Sequence, residues 1–114
     1  MTSDRRATIL AGDDRHAATF SERVWAVCAR VPQGQVTTYG DIARHLGTSG
    51  YRAVGMALNR NPYAPDVPCH RVVGSNGALT GFASGIEKKR AMLEAEGVPR
   101  RGGRVDLARC RAQL

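Results

Sequence analysis

Residues 38–60 read Thr38-Tyr39-Gly40-Asp41-Ile42-Ala43-Arg44-His45-Leu46-Gly47-Thr48-Ser49-Gly50-Tyr51-Arg52-Ala53-Val54-Gly55-Met56-Ala57-Leu58-Asn59-Arg60, and their division into elements decides the fold. Thr38 offers a hydroxyl to cap a helix, and Asp41, three residues on, supports its first turn. Ile42, Ala43 and Leu46 form an apolar face, and Gly47 ends the helix. A second helix is expected over 50–60. Two short helices joined through a glycine-containing turn outline a helix-turn-helix, the second being the recognition helix. That second helix carries Ala53, Gly55 and Ala57, and a mid-helix glycine costs up to about 1 kcal/mol relative to alanine. Its presence points to a close approach, either by a neighbouring helix or by DNA. Arg52 is placed to lie on phosphate or to probe a base stack.

Working outward, Phe20, Val24, Val27, Cys28 and Val31 recur at helical spacing over residues 20–31, with Glu22, Arg23 and Arg30 pointing elsewhere. Cys28 on that stripe reads as a core residue, and Pro32-Gln33-Gly34 ends the helix. Residues 1–17, polar and of mixed charge, read as a flexible N-terminal arm with a nascent turn at Ile9-Leu10, leaving 18–114 as the folded domain. Downstream of Asn61-Pro62 an extended loop leads to Pro68-Cys69. Val72-Val73 and Ala78-Leu79 flank Ser75-Asn76-Gly77, a hairpin-turn signal. A small-residue loop at 81–85 precedes a helix over 86–96, with Gly97 as its C-cap and Pro99 preventing continuation. Glu96 in its last turn opposes the helix dipole by a few tenths to about 1 kcal/mol, so it is either a tolerated surface charge or has a particular partner. The basic tail suggests a short strand near 104–105 and a turn of helix at 106–110. The class is therefore mainly α with a short β-hairpin, arranged as a winged helix-turn-helix.

The 114 residues suffice for one core. A net charge of +7, from 17 Lys+Arg against 10 Asp+Glu, favours an anionic partner, nucleic acid first, or else a solvated basic surface. Cys28, Cys69 and Cys110 are odd in number and widely spaced, which argues against a disulfide framework or a zinc site and for a reducing compartment. No apolar run is long enough for a membrane span, and no signal-peptide pattern follows Arg5-Arg6. A cytoplasmic protein with no metal and no cofactor is expected.

The chemistry concentrates in Val67-Pro68-Cys69-His70-Arg71-Val72-Val73. Thiolate is the reactive form of cysteine, and an adjacent His or Arg lowers its pKa from about 8.5. Pro68 fixes a bend ahead of Cys69. On these residues alone, Cys69 reads equally as a small buried hydrophobe or as an activated nucleophile.

Taken in order, Val36-Thr37-Thr38-Tyr39-Gly40-Asp41-Ile42-Ala43, Arg52-Ala53-Val54-Gly55, Asn61-Pro62, Pro68-Cys69-His70-Arg71-Val72, the Gly81–Gly85 loop, and Lys89 with Leu93-Glu94-Ala95-Glu96-Gly97 resemble the C-terminal domain of O6-alkylguanine-DNA alkyltransferases (methylated-DNA–protein-cysteine methyltransferases). The tail Gly103–Arg109 resembles the family's ending. The resemblance implies that Cys69 is the alkyl acceptor. His70 would take the thiol proton through a water, Glu96 would orient His70, and Asn61 would brace the bend. Tyr39 would aid phosphate rotation and approach guanine N3. Arg52 would fill the base stack when the nucleotide rotates out, with Ala53, Gly55, Tyr39, Thr38 and Tyr51 completing the DNA contact. Pro68, Arg71, Val72, Phe82, Ala83 and Ser84 would line the pocket, with the Ala83 N–H facing O6 and the Val72 carbonyl facing the exocyclic amine. A base inside a duplex is out of reach of a protein thiol, so extrusion must precede chemistry, at a cost of a few kcal/mol.

Departures from the pattern are specific. Family members commonly carry an N-terminal domain, which the segment before Phe20 is too short to supply. The lid has Gly81, Phe82 and Ala83 where a tyrosine and a hydroxyl residue are frequent, and the turn between the two DNA-facing helices is a residue tight. The single-domain form also resembles alkyltransferase-like proteins, which bind alkylated guanine without repair and recruit nucleotide excision repair; those typically replace the acceptor cysteine, which is present here. A basic winged-helix regulator without chemistry accounts for the charge and the helices, but leaves Pro68-Cys69-His70-Arg71 unexplained. The expected partner is double-stranded DNA containing O6-alkylguanine, bound in its minor groove by a monomeric, nucleoid-associated protein with no membrane contact.

Overall fold

Thr38 caps a helix as its sequence context requires. In the computed structural model, which describes residues 5–80 and 85–114, its hydroxyl accepts from the Asp41 N–H at 3.0 Å. The helix α3 runs Tyr39–His45 and α4 runs Tyr51–Asn59. Gly47 at φ +75° turns the chain out of the first of them, a conformation that side-chain-bearing residues adopt at a cost. Ahead of this pair lie α1 (Arg5–Leu10), a 3-10 turn at Asp14–His16, α2 (Phe20–Ala29) and a two-residue strand β1 (Thr37–Thr38). After it come a 3-10 turn at Cys69–Arg71, β2 (Val72–Val73), α5 (Ile86–Ala95), β3 (Arg100–Arg101), β4 (Arg104–Val105) and α6 (Leu107–Cys110). No helix among the described residues is long and apolar enough to cross a membrane.

β2 divides the interior. Successive strand residues face opposite sides. Val72 accordingly packs with Ile9, Val24, Val27, Ile42, Val54 and Leu58, whereas Val73 packs with Val36, Leu79, Leu93, Val98 and Val105. β1 pairs with β2 in parallel, Thr37 opposite Val72 and Thr38 opposite Val73. The Cys69–Arg71 turn and the start of α3 are thereby fixed side by side. Trp25 ties α2 to α4, its Nε1–H donating to the Ala57 carbonyl at 2.8 Å. Its ring meets Tyr63 edge-on at 5.9 Å.

Three expectations are corrected. The arm is not free over its described part: residues 5–10 form α1, and Ile9 is fully buried in the first core. Ile9 and the partly buried Leu10 dock it on the first core, helped by an Arg5–Glu22 ion pair. That pair also explains α2, where Glu22 is buried and Phe20, expected on the apolar stripe, is 39% exposed. Glu22 closes a capping arrangement with Thr19, whose hydroxyl accepts from the Glu22 N–H at 3.1 Å.

The hairpin lies elsewhere than Asn76-Gly77 suggested. Gly74 N–H does bond to the Ala78 carbonyl at 2.9 Å, making a tight turn. Val72-Val73, however, pair with β1 rather than with residues 78–79. The antiparallel ribbon is β3–β4, on the tail. Its Val105 N–H donates to the Gly77 carbonyl at 2.9 Å. Gly77 sits at φ +84°, and a Cβ there would lie 2.3 Å from the Val105 oxygen, so the turn and the ribbon are seated on one another without slack.

Candidate active site and nucleic-acid face

The loop after α4 is built around Asn61. Its Nδ2 donates to the Val67 carbonyl at 2.8 Å, and its Oδ1 accepts from the Tyr63 N–H at 2.9 Å. The Cys69 N–H donates to the same Val67 carbonyl at 2.9 Å, and the Arg71 N–H to the Pro68 carbonyl at 2.8 Å. Pro68 thus starts a 3-10 turn in which Cys69 is half-buried against the first core and His70 is 3% exposed.

His70 Nε2 lies 2.8 Å from Glu96 Oε2. Arg71 reaches the same carboxylate twice, Nε to Oε1 at 2.9 Å and Nη2 to Oε2 at 2.8 Å, and donates Nη1 to the Val31 carbonyl at 2.8 Å. The helix-end carboxylate that looked misplaced beside the α5 dipole is therefore a hub with three charge-assisted or imidazole bonds. Burial works to raise the Glu96 pKa, but the Arg71 and His70 hydrogen bonds outweigh it and hold the carboxyl below its ordinary value. For His70 burial dominates and lowers the pKa, with the Glu96 bond opposing. The pair is best described as a neutral imidazole on an ionised carboxylate. Since that carboxylate only accepts, Nε2 carries the hydrogen and Nδ1 keeps a free lone pair.

Lys89 is the site residue the sequence signalled least. It is fully buried, an unusual state for lysine. Nζ donates to the Thr80 carbonyl at 2.7 Å and lies 3.4 Å from the Tyr39 hydroxyl, which itself donates to Thr80 at 2.9 Å. Burial pulls the Lys89 ammonium down to about 8, while negative charge on Cys69 and then Cys28 would push it back. Burial also raises the Tyr39 pKa, keeping its hydroxyl protonated. The wholly buried Cys28 thiol is pushed up for the same reason and stays protonated and inert. A cationic residue at an i+3 position of an otherwise ordinary helix gave no clue to this burial; only its place in the family-like string singled it out.

On the opposite side of α4, Tyr51, Arg52, Ala53 and Met56 are exposed. Arg52 makes no hydrogen bond or ion pair among the described residues. A cleft of about 650 Å³ passes Tyr39, Gly40, Tyr51, Ser75, Asn76 and Thr80. Gly55 faces Tyr39 with room to spare, since a Cβ there would meet the ring carbons at 3.8 Å. Packing among the described residues thus does not demand the glycine.

Two expected residues are placed differently. Thr38 is buried with its hydroxyl engaged in capping α3, so it is not presented to a ligand. Arg71 directs its guanidinium at Glu96 and Val31, as a buttress behind His70 rather than a pocket wall. Val72 is fully buried, with its side chain in the first core. Phe82, Ala83 and Ser84 lie outside the described residues. No trio of His, Cys, Asp or Glu among the described residues could hold a metal ion.

The sequence model of the 6-O-methylguanine DNA methyltransferase, DNA binding domain, matches residues 19–98. A methylated-DNA–protein-cysteine methyltransferase of Methanosarcina acetivorans is 51% identical over 79 residues, covering 68% of this chain and 51% of that protein. The chain spans about half the length of the curated relatives it matches. Among solved structures, a Mycobacterium tuberculosis OGT in complex with DNA superposes with TM-score 0.66 at 40% identity, over 82% of this chain and 63% of that one. Schizosaccharomyces pombe Atl1, in complex with damaged DNA containing O6-carboxymethylguanine, superposes with TM-score 0.73 at 29% identity, over 83% of this chain and 95% of that one. With a helix-turn-helix leading into a braced Pro-Cys-His-Arg turn, and with that match over most of its length, the chain belongs to the 6-O-methylguanine DNA methyltransferase family, through that family's DNA binding domain.

Proposed function

We propose that this chain binds double-stranded DNA through the minor groove, rotates O6-alkylguanine out of the stack and transfers its alkyl group irreversibly to Cys69. The observation that carries the reading is the neutral, buried His70, hydrogen-bonded to Glu96 at 2.8 Å and adjoining Cys69 in one 3-10 turn. Nucleophile, base and orienter in that order are the arrangement of activated nucleophiles. The Cys69 proton passes through a water to His70 Nδ1. The sulfur then attacks the alkyl carbon in line, forming S–C as C–O6 breaks with its electron pair going to guanine. The guanine anion takes a proton from the Tyr39 hydroxyl, and the proton held at His70 returns through solvent to restore Tyr39. A thioether is not readily hydrolysed, so each chain acts once. Arg52, exposed and without a hydrogen-bond or ion-pair partner among the described residues, fills the stack the base has left, and the small face of α4 admits the groove.

The DNA-bound structures of relatives support DNA as partner. A second reading, damage recognition without transfer and with recruitment of nucleotide excision repair, is favoured by the near-complete overlap with Atl1. Intact mass decides between them. Incubation with O6-methylguanine DNA should add one methyl to the wild-type chain and none to Cys69→Ser. Tight binding with no mass change would leave only the second reading.

A further inference from the structure

β3 and β4 set Arg101 and Arg104 directly opposite each other in antiparallel register. Like charges in that relation destabilise a ribbon. Arg100 next to them is answered by Glu94 at 2.7 Å, whereas Arg101 and Arg104 have no ion pair among the described residues, and both are exposed. The two-residue link Gly102-Gly103, with Gly102 at φ +66°, denies the strands any slack to separate the two guanidinium groups along the chain. Both line a cleft of about 280 Å³ with Asn76, Val105, Asp106 and Leu107, and neither is ion-paired to Asp106. Asn76 also forms a wall of the cleft that passes Tyr39 and Tyr51. The turn carrying Asn76 is locked to the ribbon through Gly77 and Val105. A continuous surface therefore runs from the start of α4, over the 74–78 turn, to an unanswered pair of arginines. The ribbon lies beyond residues 19–98, the span matched by the family.

We propose that Arg101 and Arg104 are a phosphate clamp that grips the DNA backbone past the recognition helix, making β3–β4 a second nucleic-acid contact. This rests on the reading of the chain as a DNA-binding protein. Phosphate suits the pair: an anion between two facing forks relieves their repulsion and accepts hydrogen bonds from both. The contact is blind to sequence and to damage, so it adds affinity for any duplex and orients the chain along it.

The test is the salt dependence of binding to a short undamaged duplex, read by fluorescence anisotropy with the full chain. Each phosphate contact contributes about 0.9 to the slope of log K against log salt. Arg101→Ala/Arg104→Ala should lower the slope by about 1.8, so that between about 50 and 200 mM salt the wild type loses about 12-fold more affinity than the variant. Arg101→Lys/Arg104→Lys should keep the slope, because the charges remain. Arg15→Ala, on the exposed 3-10 turn beyond α1, should also keep it. The double alanine variant should melt at or above the wild-type temperature, since it removes a repulsion. An unchanged slope in the alanine variant, or an equal drop with Arg15→Ala, would overturn the clamp. The duplex carries no alkyl group, so this readout is independent of Cys69. A lost clamp with methyl transfer intact, and the reverse, are distinguishable results.

Discussion

Glu96→Gln separates what the site does for stability from what it does for chemistry. In the native chain one carboxylate receives His70 at 2.8 Å and Arg71 at 2.8 and 2.9 Å. A glutamine keeps the shape but offers one acceptor in place of two, and its amide hydrogens must face either the Arg71 or the His70 N–H. Hydrogen bonds to charged groups contribute about 1.5–3 kcal/mol each, and at least one is lost outright while the rest lose their charge. The side chains retain some solvent contact, 13% for Glu96 and 16% for Arg71, which keeps the loss to about 3 kcal/mol, below the upper range for a buried pair. At about 2.1 cal/mol/K per residue, unfolding of this chain carries an entropy of about 0.24 kcal/mol/K, so the melting temperature should drop by about 12 °C. The effect has a pH signature. Glu96 has a depressed folded pKa, so its contribution is fully present above the unfolded value of 4.5 and is lost as pH falls below it. Wild type and variant should therefore converge in strong acid. Chemistry should fall by about 10²-fold, the lower end for a misdirected general base, because His70 is no longer held with Nδ1 bare. Arg71→Met supplies the contrast: it loses stability yet keeps the His70–Glu96 bond, so transfer of alkyl to Cys69 should fall far less. Thermal melts at several pH values and single-turnover mass measurements check both. If Glu96→Gln melts within about 2 °C of wild type, or the two variants slow transfer equally, the hub assignment is wrong.

Three further outcomes follow from the same geometry. Asn61→Ala removes two bonds around the Val67 carbonyl and Tyr63 N–H, costing about 2 kcal/mol in urea unfolding, and it should slow transfer at saturating substrate by loosening the Cys69 turn; unaltered kinetics would refute the bracing role. Lys89 has a folded pKa near 8 against 10.5 unfolded, so its contribution is present above pH 10.5 and about 3 kcal/mol is lost as pH falls to 8. Lys89→Met should flatten that stretch of the urea-midpoint profile, and parallel profiles would reject the burial cost. Gly55→Ala meets only ordinary contact at Tyr39 and should stabilise α4 by about 0.5–1 kcal/mol while weakening duplex affinity several-fold; unchanged affinity in anisotropy would mean that no groove approaches that glycine.

The helices were legible because their signals are local. Thr38 with Asp41, Gly47 and Gly97 each act within a turn of their own position. What escaped the sequence depended on distant partners. The strand Val72-Val73 finds Thr37-Thr38 across 35 residues, whereas Asn76-Gly77 advertised a neighbour that was never needed. Phe20 and Glu22 exchanged exposure because α1 supplies Arg5 to the carboxylate. At the candidate site, a string of family-like motifs singled out Cys69, His70, Glu96 and Asn61, and the structure brings His70 onto Glu96 and Asn61 under the Cys69 turn. Arg71 and Lys89 stood in those same motifs, but their roles depend on which carboxylate or carbonyl a long side chain reaches after folding. Thr38, expected at the DNA face, turns its hydroxyl inward to cap α3, a choice set by the fold around it.

Trp25 is the only tryptophan in the chain, and it stands where α4 joins the loop that carries Cys69. Its indole N–H is bound to α4 at Ala57, and its ring rests on Tyr63, whose backbone N–H belongs to the Asn61 brace. A displacement of either neighbour alters the polarity and quenching around one indole. The unlabelled protein therefore carries its own optical gauge: the intensity and emission wavelength of a single fluorophore, followed in a stopped-flow trace, would report whether adding a duplex displaces α4 or the Cys69 turn.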